Sequence, residues 1–482
     1  MIVTGQHMAP MVLHSSHSLT DSMTNGAAVE PRISRRLMMA GAASGAVVGL
    51  GGCLQNPDPT AEGTGGGVEQ YSPGDSPGTG TVSIFGAFGG QEQEGFMASL
   101  ESFSEETGIT INYTPDNDFS TTVRQRVNAG DIPDIGLFPQ PGTLFDLVAQ
   151  GHVTPIDTFL DFDQLSSSLV PGFLDSARYR GRVYAAPMRM ACKSLLWYPK
   201  KAYEKAGYST QPATMQELYA ITDDMKDNGI TPWSDTWNAD PASGWVGTDW
   251  IEEFMLRVHG PELYDDWIYH RIPFNSPEVI EVFDLVGDVL KTEGNVLGGT
   301  ATIVNTPFSE APLPLFEDPP RAMLVRQGNF VTGFLPEEIL GNMDEEVGVM
   351  AMPTWEGGFE GQPILGGGDL AALFTANDDT VEVMKFLTSD QFGAEWAQAG
   401  GWLSPHRTFD LDHYSDNTTR EVAAIASEAQ VFRYDGSDVM PVTVGGGTFW
   451  QGMMSWIAGE KDAQQVCDEI EASWPESGDE EE

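Results

Sequence analysis

Between residues 82 and 151, short apolar runs alternate with helix-spaced apolar residues, and each helix stops at a glycine. Residues 82–85 read as a buried strand. Phe96, Leu100 and Phe103 then recur at helical spacing ahead of Gly108. Residues 109–113 form the next strand, and Phe119, Val123 and Val127 mark a helix closed by Gly130. Residues 135–138 and the set Leu144, Leu147 and Val148 before Gly151 make a third pair. A period near 3.6 buries one helix face, whereas a short unbroken apolar run buries both faces of a strand. Such alternation predicts a parallel sheet with right-handed crossovers. Ligands of these sheets lie beyond the C-terminal strand ends. Here those ends are residues 88–90, 115–118 and 139–142.

Downstream, Thr214-Met215-Gln216-Glu217 is a capping box that opens a helix. Ser276-Pro277-Glu278 opens another, and residues 381–397, 448–458 and 463–472 read as further helices. About 400 folded residues exceed what one core holds, so two lobes are expected. The predicted class is α/β.

The balance of 71 acidic against 24 basic residues gives a formal charge of −47. Phosphate backbones would be repelled, which excludes nucleic acid as a partner. The chain is 40% hydrophobic, with 12 Trp and 24 Phe, so it can build a core that a disordered acidic chain could not. The carboxylates are spread over the chain apart from an acidic tail at 476–482, a pattern suited to very high salt, where screening removes self-repulsion.

Arg35 and Arg36 precede a short run of small and apolar residues that ends in Leu50-Gly51-Gly52-Cys53. That run is too short and too rich in Gly and Ala for a membrane span and reads as an export signal. It resembles a twin-arginine signal with a lipobox, which implies lipidation of Cys53 and a site of action at the outer face of the membrane. Residues 1–53 are therefore expected to be the signal and 54–80, rich in Gly, Pro, Ser and Thr, a tether. Cys192 and Cys467 are expected as buried thiols, with a disulfide between them as the alternative. No metal-ligating motif is present in the sequence, and no cofactor is expected. Asn112 and Asn417 head glycosylation sequons; Asn112 is expected in a buried strand and Asn417 in a polar loop.

Ala129-Gly130-Asp131-Ile132-Pro133-Asp134-Ile135 resembles a helix-to-strand segment of the extracellular solute-binding proteins of carbohydrate ABC transporters. Further segments agree in order: Tyr184-Ala185-Ala186-Pro187, Leu196-Trp197-Tyr198-Pro199-Lys200, Arg321-Ala322-Met323, Met352-Pro353-Thr354, Gly366-Gly367-Gly368, Phe449-Trp450 and Ala458-Gly459-Glu460. Residues 139–142, 247–252 and 264–267 are more similar to the α-glucoside and maltose-binding branch. The resemblance spans roughly residues 82–472, and with the acidic composition it suggests a haloarchaeal type. It implies a periplasmic-binding-protein-like fold with a ligand cleft between two lobes, each a mostly parallel sheet flanked by helices. Lobe one would comprise 81–188 and 347–403, and lobe two 189–346 and 404–475. It further implies a monomeric, non-catalytic receptor that closes on a sugar or oligosaccharide and hands it to an ATP-driven permease.

A sugar offers apolar C–H faces and a belt of hydroxyls, so its site needs aromatic platforms and placed polar groups. Trp450 and Phe330, the latter beside Asn329, align with sugar-stacking aromatics of relatives. Trp237 and Trp245 fall in a Gly- and Pro-rich loop and are expected to be exposed, followed by Asp249 and Trp250, which would either contact the ligand or cap and bury the following helix. Phe88, Gly89, Asp118 and Gln140 sit at strand ends. Arg189 and Lys193 lie at the first passage between lobes, where they would donate to hydroxyls or pair with carboxylates. Gly367 and Asp369 lie at the return passage, and Trp402 and Arg407 flank a third. The competing readings are a receptor for a polyol, anion or peptide, and a glycoside-processing enzyme. No nucleophile-elbow or nucleotide-binding motif supports the enzyme.

Overall fold

The computed structural model describes residues 71–475 except Asp75 and Asn117. The twin arginines, Cys53 and the acidic tail lie outside the described residues.

The first sheet begins as the alternation predicts. β1 (Thr81–Gly86), β2 (Thr110–Pro115) and β3 (Ile135–Phe138) pair in parallel, with β1 central. Helices Gly90–Thr107 (α1), Phe119–Ala129 (α2) and Pro141–Ala149 (α3) connect and follow them. Gly108 and Gly130 close α1 and α2 in the left-handed conformation, which glycine enters without a Cβ clash.

The sheet then departs from a purely parallel plan. β4 (Ala185–Cys192) crosses out of it, and β5 (Leu195–Pro199) starts the second sheet only two residues later. The second sheet also holds β6 (Val325–Arg326) and β7 (Val347–Ala351), both antiparallel to β5. It is thus antiparallel, not mostly parallel as expected. The eleven-residue strand β8 (Pro363–Leu373) returns to the first sheet, antiparallel to β3 and β4, and β9 (Val431–Tyr434) runs parallel beside it.

These pairings correct the expected boundaries. Arg189 and Cys192 still pair with β8, so the first lobe extends to the end of β4, not to 188. Residues 347–351 belong to the second sheet, and the return passage falls between Ala351 and Pro363. β9, expected in lobe two, is a strand of the first sheet. The expected tether is shorter too. Tyr71 donates to Asp378 Oδ1 at 2.5 Å, Gly74 N to the same oxygen at 2.9 Å, and Gly80 N to Asp379 Oδ2 at 2.6 Å. These carboxylates open the helix Asp378–Leu387 of the first lobe, where an N-terminus leaves donors unpaired and favours acids.

Two other expectations shift. The single helix expected over 381–397 is two, Asp378–Leu387 and Ala394–Ala399, broken before Gly393, whose backbone is left-handed at φ +92°. Asn112 is exposed on the edge strand β2, and Asn417 lies in the first turn of Asn417–Ser427, where its amide donates to Asp344 Oδ2 at 2.6 Å. Cys192 and Cys467 are buried and unpaired, and burial pushes the Cys192 thiol up to about 12. Among the described residues no helix is long and apolar enough to cross a membrane.

Candidate functional site

The passage from β4 to β5 consists of Lys193 and Ser194, and both are buried. Lys193 Nζ lies 2.9 Å from Asp249 Oδ1 and bonds Asp435 Oδ2 more closely still. Asp249 comes from helix Trp245–Val258 (α4) of the second lobe, and Asp435 from the turn after β9 of the first sheet. One ammonium therefore ties three segments together where the chain changes lobes. Burial alone would strip its proton, but Asp249 and Asp435 outweigh that and drive its pKa upward. Asp435 is held low by Lys193 against its own burial. Asp249 goes the other way, pushed up to about 7 chiefly by burial.

Glu252, one turn along α4, accepts from Gly436 N and Ser437 N at 3.0 Å each, capping the short helix Gly436–Val439. Asp249, Glu252 and Asp435 bring one oxygen apiece within 4.8 Å of one another, a spacing a cation could bridge. The Lys193 ammonium already bonds two of the three.

The accessible part of the site lies beside this cluster. Gln140 Nε2 donates to Asp438 Oδ1 at 3.0 Å, and Ser120 Oγ donates to Gln140 Oε1 at 2.8 Å. Trp450 Nε1 donates to Ser437 Oγ at 3.1 Å. Trp450 follows a π-helical turn, Val444–Phe449, in which a side chain at Gly445 would collide with the Ser437 carbonyl. Gly244, at φ +107°, abuts the Trp450 carbonyl and delivers Trp245 to the same region. The Trp245 ring stands 5.2 Å from Lys193 Nζ and 5.9 Å from the Phe330 ring. Asn329 Oδ1 accepts from Cys192 N at 2.8 Å. Gln140, Trp245, Asn329, Phe330, Asp438 and Trp450 are all half-buried.

A second polar group adjoins on the first sheet. Arg189 bonds Glu92 at 2.5 Å and Asp369 at 2.6 Å, and its guanidinium covers the Phe88 ring at 4.5 Å. It pairs with carboxylates, the second of the two roles expected for it. Gly368, at φ +146°, lets β8 approach the Arg189 carbonyl where any Cβ would clash. Tyr434 Oη bonds the Pro139 carbonyl at 2.6 Å and the Gly368 carbonyl, joining Gln140's strand end to Gly367 and Asp369.

Several expected contacts lie elsewhere. Trp237 is fully buried, correcting its placement on an exposed loop, and Trp250 is buried in α4, the second of the two roles expected for it. Both indoles donate to Asp235, at 2.9 and 2.6 Å, so these rings organise the second core. Phe88 is buried against Phe96 and Trp396. Trp402 packs with Phe392 and Phe409, and Arg407 is exposed with its guanidinium on the Ser167 carbonyl. Asp249 is sealed in its ion pair. Asp118 is exposed at the start of α2, two residues from Ser120, with no side-chain capping bond, and Gly89 is half-buried before α1. Sequence reasoning missed Ser120, Asp435, Ser437 and Asp438. The alternating run Val431-Phe432-Arg433-Tyr434 before Asp435-Gly436-Ser437-Asp438 was the available signal, a short strand ending in a turn.

Comparison with known proteins accords with this geometry. The sequence profile described as "Bacterial extracellular solute-binding protein" matches residues 89–394. The osmoprotective compounds-binding protein GgtB of Synechocystis is 38% identical over 394 residues, covering 82% of this chain and 92% of that protein. The alpha-glucosides-binding periplasmic protein AglE of Rhizobium meliloti is 31% identical over 407 residues, covering 82% and 87%. Among solved structures, the bacterial solute receptor AcbH superposes with a TM-score of 0.69 at 16% identity, covering 83% of this chain and 97% of its own. Maltose-bound MalE3 of T. maritima gives 0.59 at 17% identity, covering 81% and 98%. The two-lobed α/β fold and the matched sequence together establish that the chain belongs to the bacterial extracellular solute-binding protein family.

Proposed function

We propose that this protein is the sugar receptor of an ABC transporter, closing two lobes over a glucoside or short oligosaccharide and delivering it to a membrane permease. One observation carries the reading: three half-buried aromatic rings gather where the chain changes sheets, Trp245 beside Lys193 and Phe330, and Trp450 bonded to Ser437 next to the Gln140–Asp438 pair. Aromatic faces suit the C–H faces of a pyranose, and neutral or shared polar groups suit its hydroxyls. The similarity to proteins named for α-glucosides and for osmoprotective compounds supports a small glucoside over a long polymer.

In this reading Cys53 carries a lipid, residues up to it direct export, and the acidic surface fits a halophile. Calorimetric titration of trehalose, maltose, sucrose and methyl α-glucoside in molar KCl tests the core of the proposal, with scattering to follow closure. Saturable binding without turnover, together with a smaller radius of gyration, is expected; turnover, or no binding by any of the four, rejects it. Replacing Cys53→Ala should release the protein into the medium, and continued membrane retention would reject lipidation.

A further inference from the structure

Every cation beside the site is already committed. Lys193 is held by Asp249 and Asp435, and Arg189 by Glu92 and Asp369. Arg326 faces Asp249 at 3.5 Å and Glu253 at 3.3 Å, and Arg433 is gripped by both oxygens of Asp265 at 2.7 and 2.8 Å. An anionic ligand would find no free positive charge among the described residues here. It would instead meet Asp438, half-buried at the edge of the site, with one oxygen receiving the Gln140 amide.

Resting on the sugar-receptor reading, we infer that Asp438 is a ligand-contacting residue that serves as a neutral carboxylic acid, reading a hydroxyl of an uncharged sugar or polyol in a site whose paired cations offer an anionic sugar no partner. A protonated carboxyl is both donor and acceptor, and so is a hydroxyl, so the two groups match in either direction. An ionised carboxylate accepts only and repels a uronate or phosphate.

The surroundings favour the neutral form. Asp435 lies three residues back on the same turn and supplies negative charge, and α4 contributes Asp249. Tyr434 faces it from β9; the neighbouring Arg433 is neutralised by Asp265, and Tyr264 of the helix Gly260–Ile268 donates to the Tyr434 carbonyl. Lys193 is the one cation that opposes protonation, and two other carboxylates share it. Burial, reinforced by Asp435, pushes the Asp438 carboxyl up to about 8. Binding should therefore be tightest below that pH and weaken as the carboxyl ionises above it.

The test titrates trehalose, maltose, sucrose and methyl α-glucoside, and beside them glucuronate and glucose 1-phosphate, into the full chain at several pH values. For the neutral sugar that binds wild type, affinity should fall about tenfold between roughly pH 7 and roughly pH 9.5, while both anions bind at least about a hundredfold more weakly. Asp438→Ala should cost about tenfold or more at neutral pH, and Asp438→Asn should recover most of that loss and abolish the pH dependence. Thermal unfolding of each variant confirms that it folds. A wild-type pH profile that survives in Asp438→Asn, wild-type affinity in Asp438→Ala, or anions bound as tightly as neutral sugars would overturn the assignment while leaving the receptor reading intact. If no neutral sugar binds wild type, the receptor reading fails and this inference falls with it.

Discussion

Lys193 Nζ and Asp249 Oδ1 stand 2.9 Å apart with both side chains almost fully removed from solvent. The pair joins the passage between the two sheets to a helix of the second lobe. Desolvating two charges is costly, so such a pair adds little net stability compared with apolar packing. Removing one partner is different, because the other is left buried and unpaired.

Lys193→Met should therefore destabilise the fold by about 3–5 kcal/mol, measured by denaturant unfolding. Adding Asp249→Asn should restore part of that loss, since it removes one stranded charge. A Lys193→Met protein as stable as wild type would contradict the role given to the ammonium.

Asp235 makes stability fall with rising pH. Its carboxyl is pushed up to about 7 by burial, against the pull of the Trp250 and Trp237 N–H groups. The native form then holds its proton longer than the unfolded chain, so stability is greatest at about pH 4 or below and declines up to about pH 7. Asp235→Asn should lessen that decline in thermal unfolding across this range, while the indole left without a good acceptor costs about 1–3 kcal/mol.

His406 acts in the opposite sense. Burial lowers its pKa to about 4, against the influence of Asp390 and the Thr388 carbonyl. The unfolded chain takes up the proton first, so stability is complete above about pH 6.5 and is lost towards about pH 4. His406→Gln should remove this acid-side loss in the same thermal series; an unchanged profile would reject it.

Trp450→Ala should lower sugar affinity at least about tenfold while circular dichroism stays unchanged, because the variant removes one stacking face and one N–H bond to Ser437. Unchanged affinity would exclude Trp450 as a platform.

Dialysis to salt below ~0.1 M should unfold the protein, since screening of the −47 formal charge is then weak. Full native signal at that salt would reject adaptation to high salt.

The first three strands and helices were legible because their periodicity is local, and Ile135–Phe138 appears with the expected ends. The antiparallel second sheet was not, because its strands come from residues near 195, 325 and 347, and nothing local records which strand pairs with which. The capping box at Thr214 was half right. Thr214 Oγ1 accepts from Glu217 N at 3.3 Å, but the Glu217 carboxylate reaches Ala213 N, one residue beyond the reciprocal bond. At the site, Gln140, Trp245, Phe330 and Trp450 could be named from strand ends, loop composition and resemblance. Asp438 could not, since one carboxylate among 71 acidic residues is distinguished only by what surrounds it. Trp237 misled for the same reason, because its anchor Asp235, shared with Trp250, is visible as such only once the chain has folded.

The bonds from Tyr71, Gly74 and Gly80 to Asp378 and Asp379 have a mechanical consequence. A pull arriving at Tyr71 along the backbone would be resisted by these bonds to the first lobe. In the proposed receptor that half would be the stator.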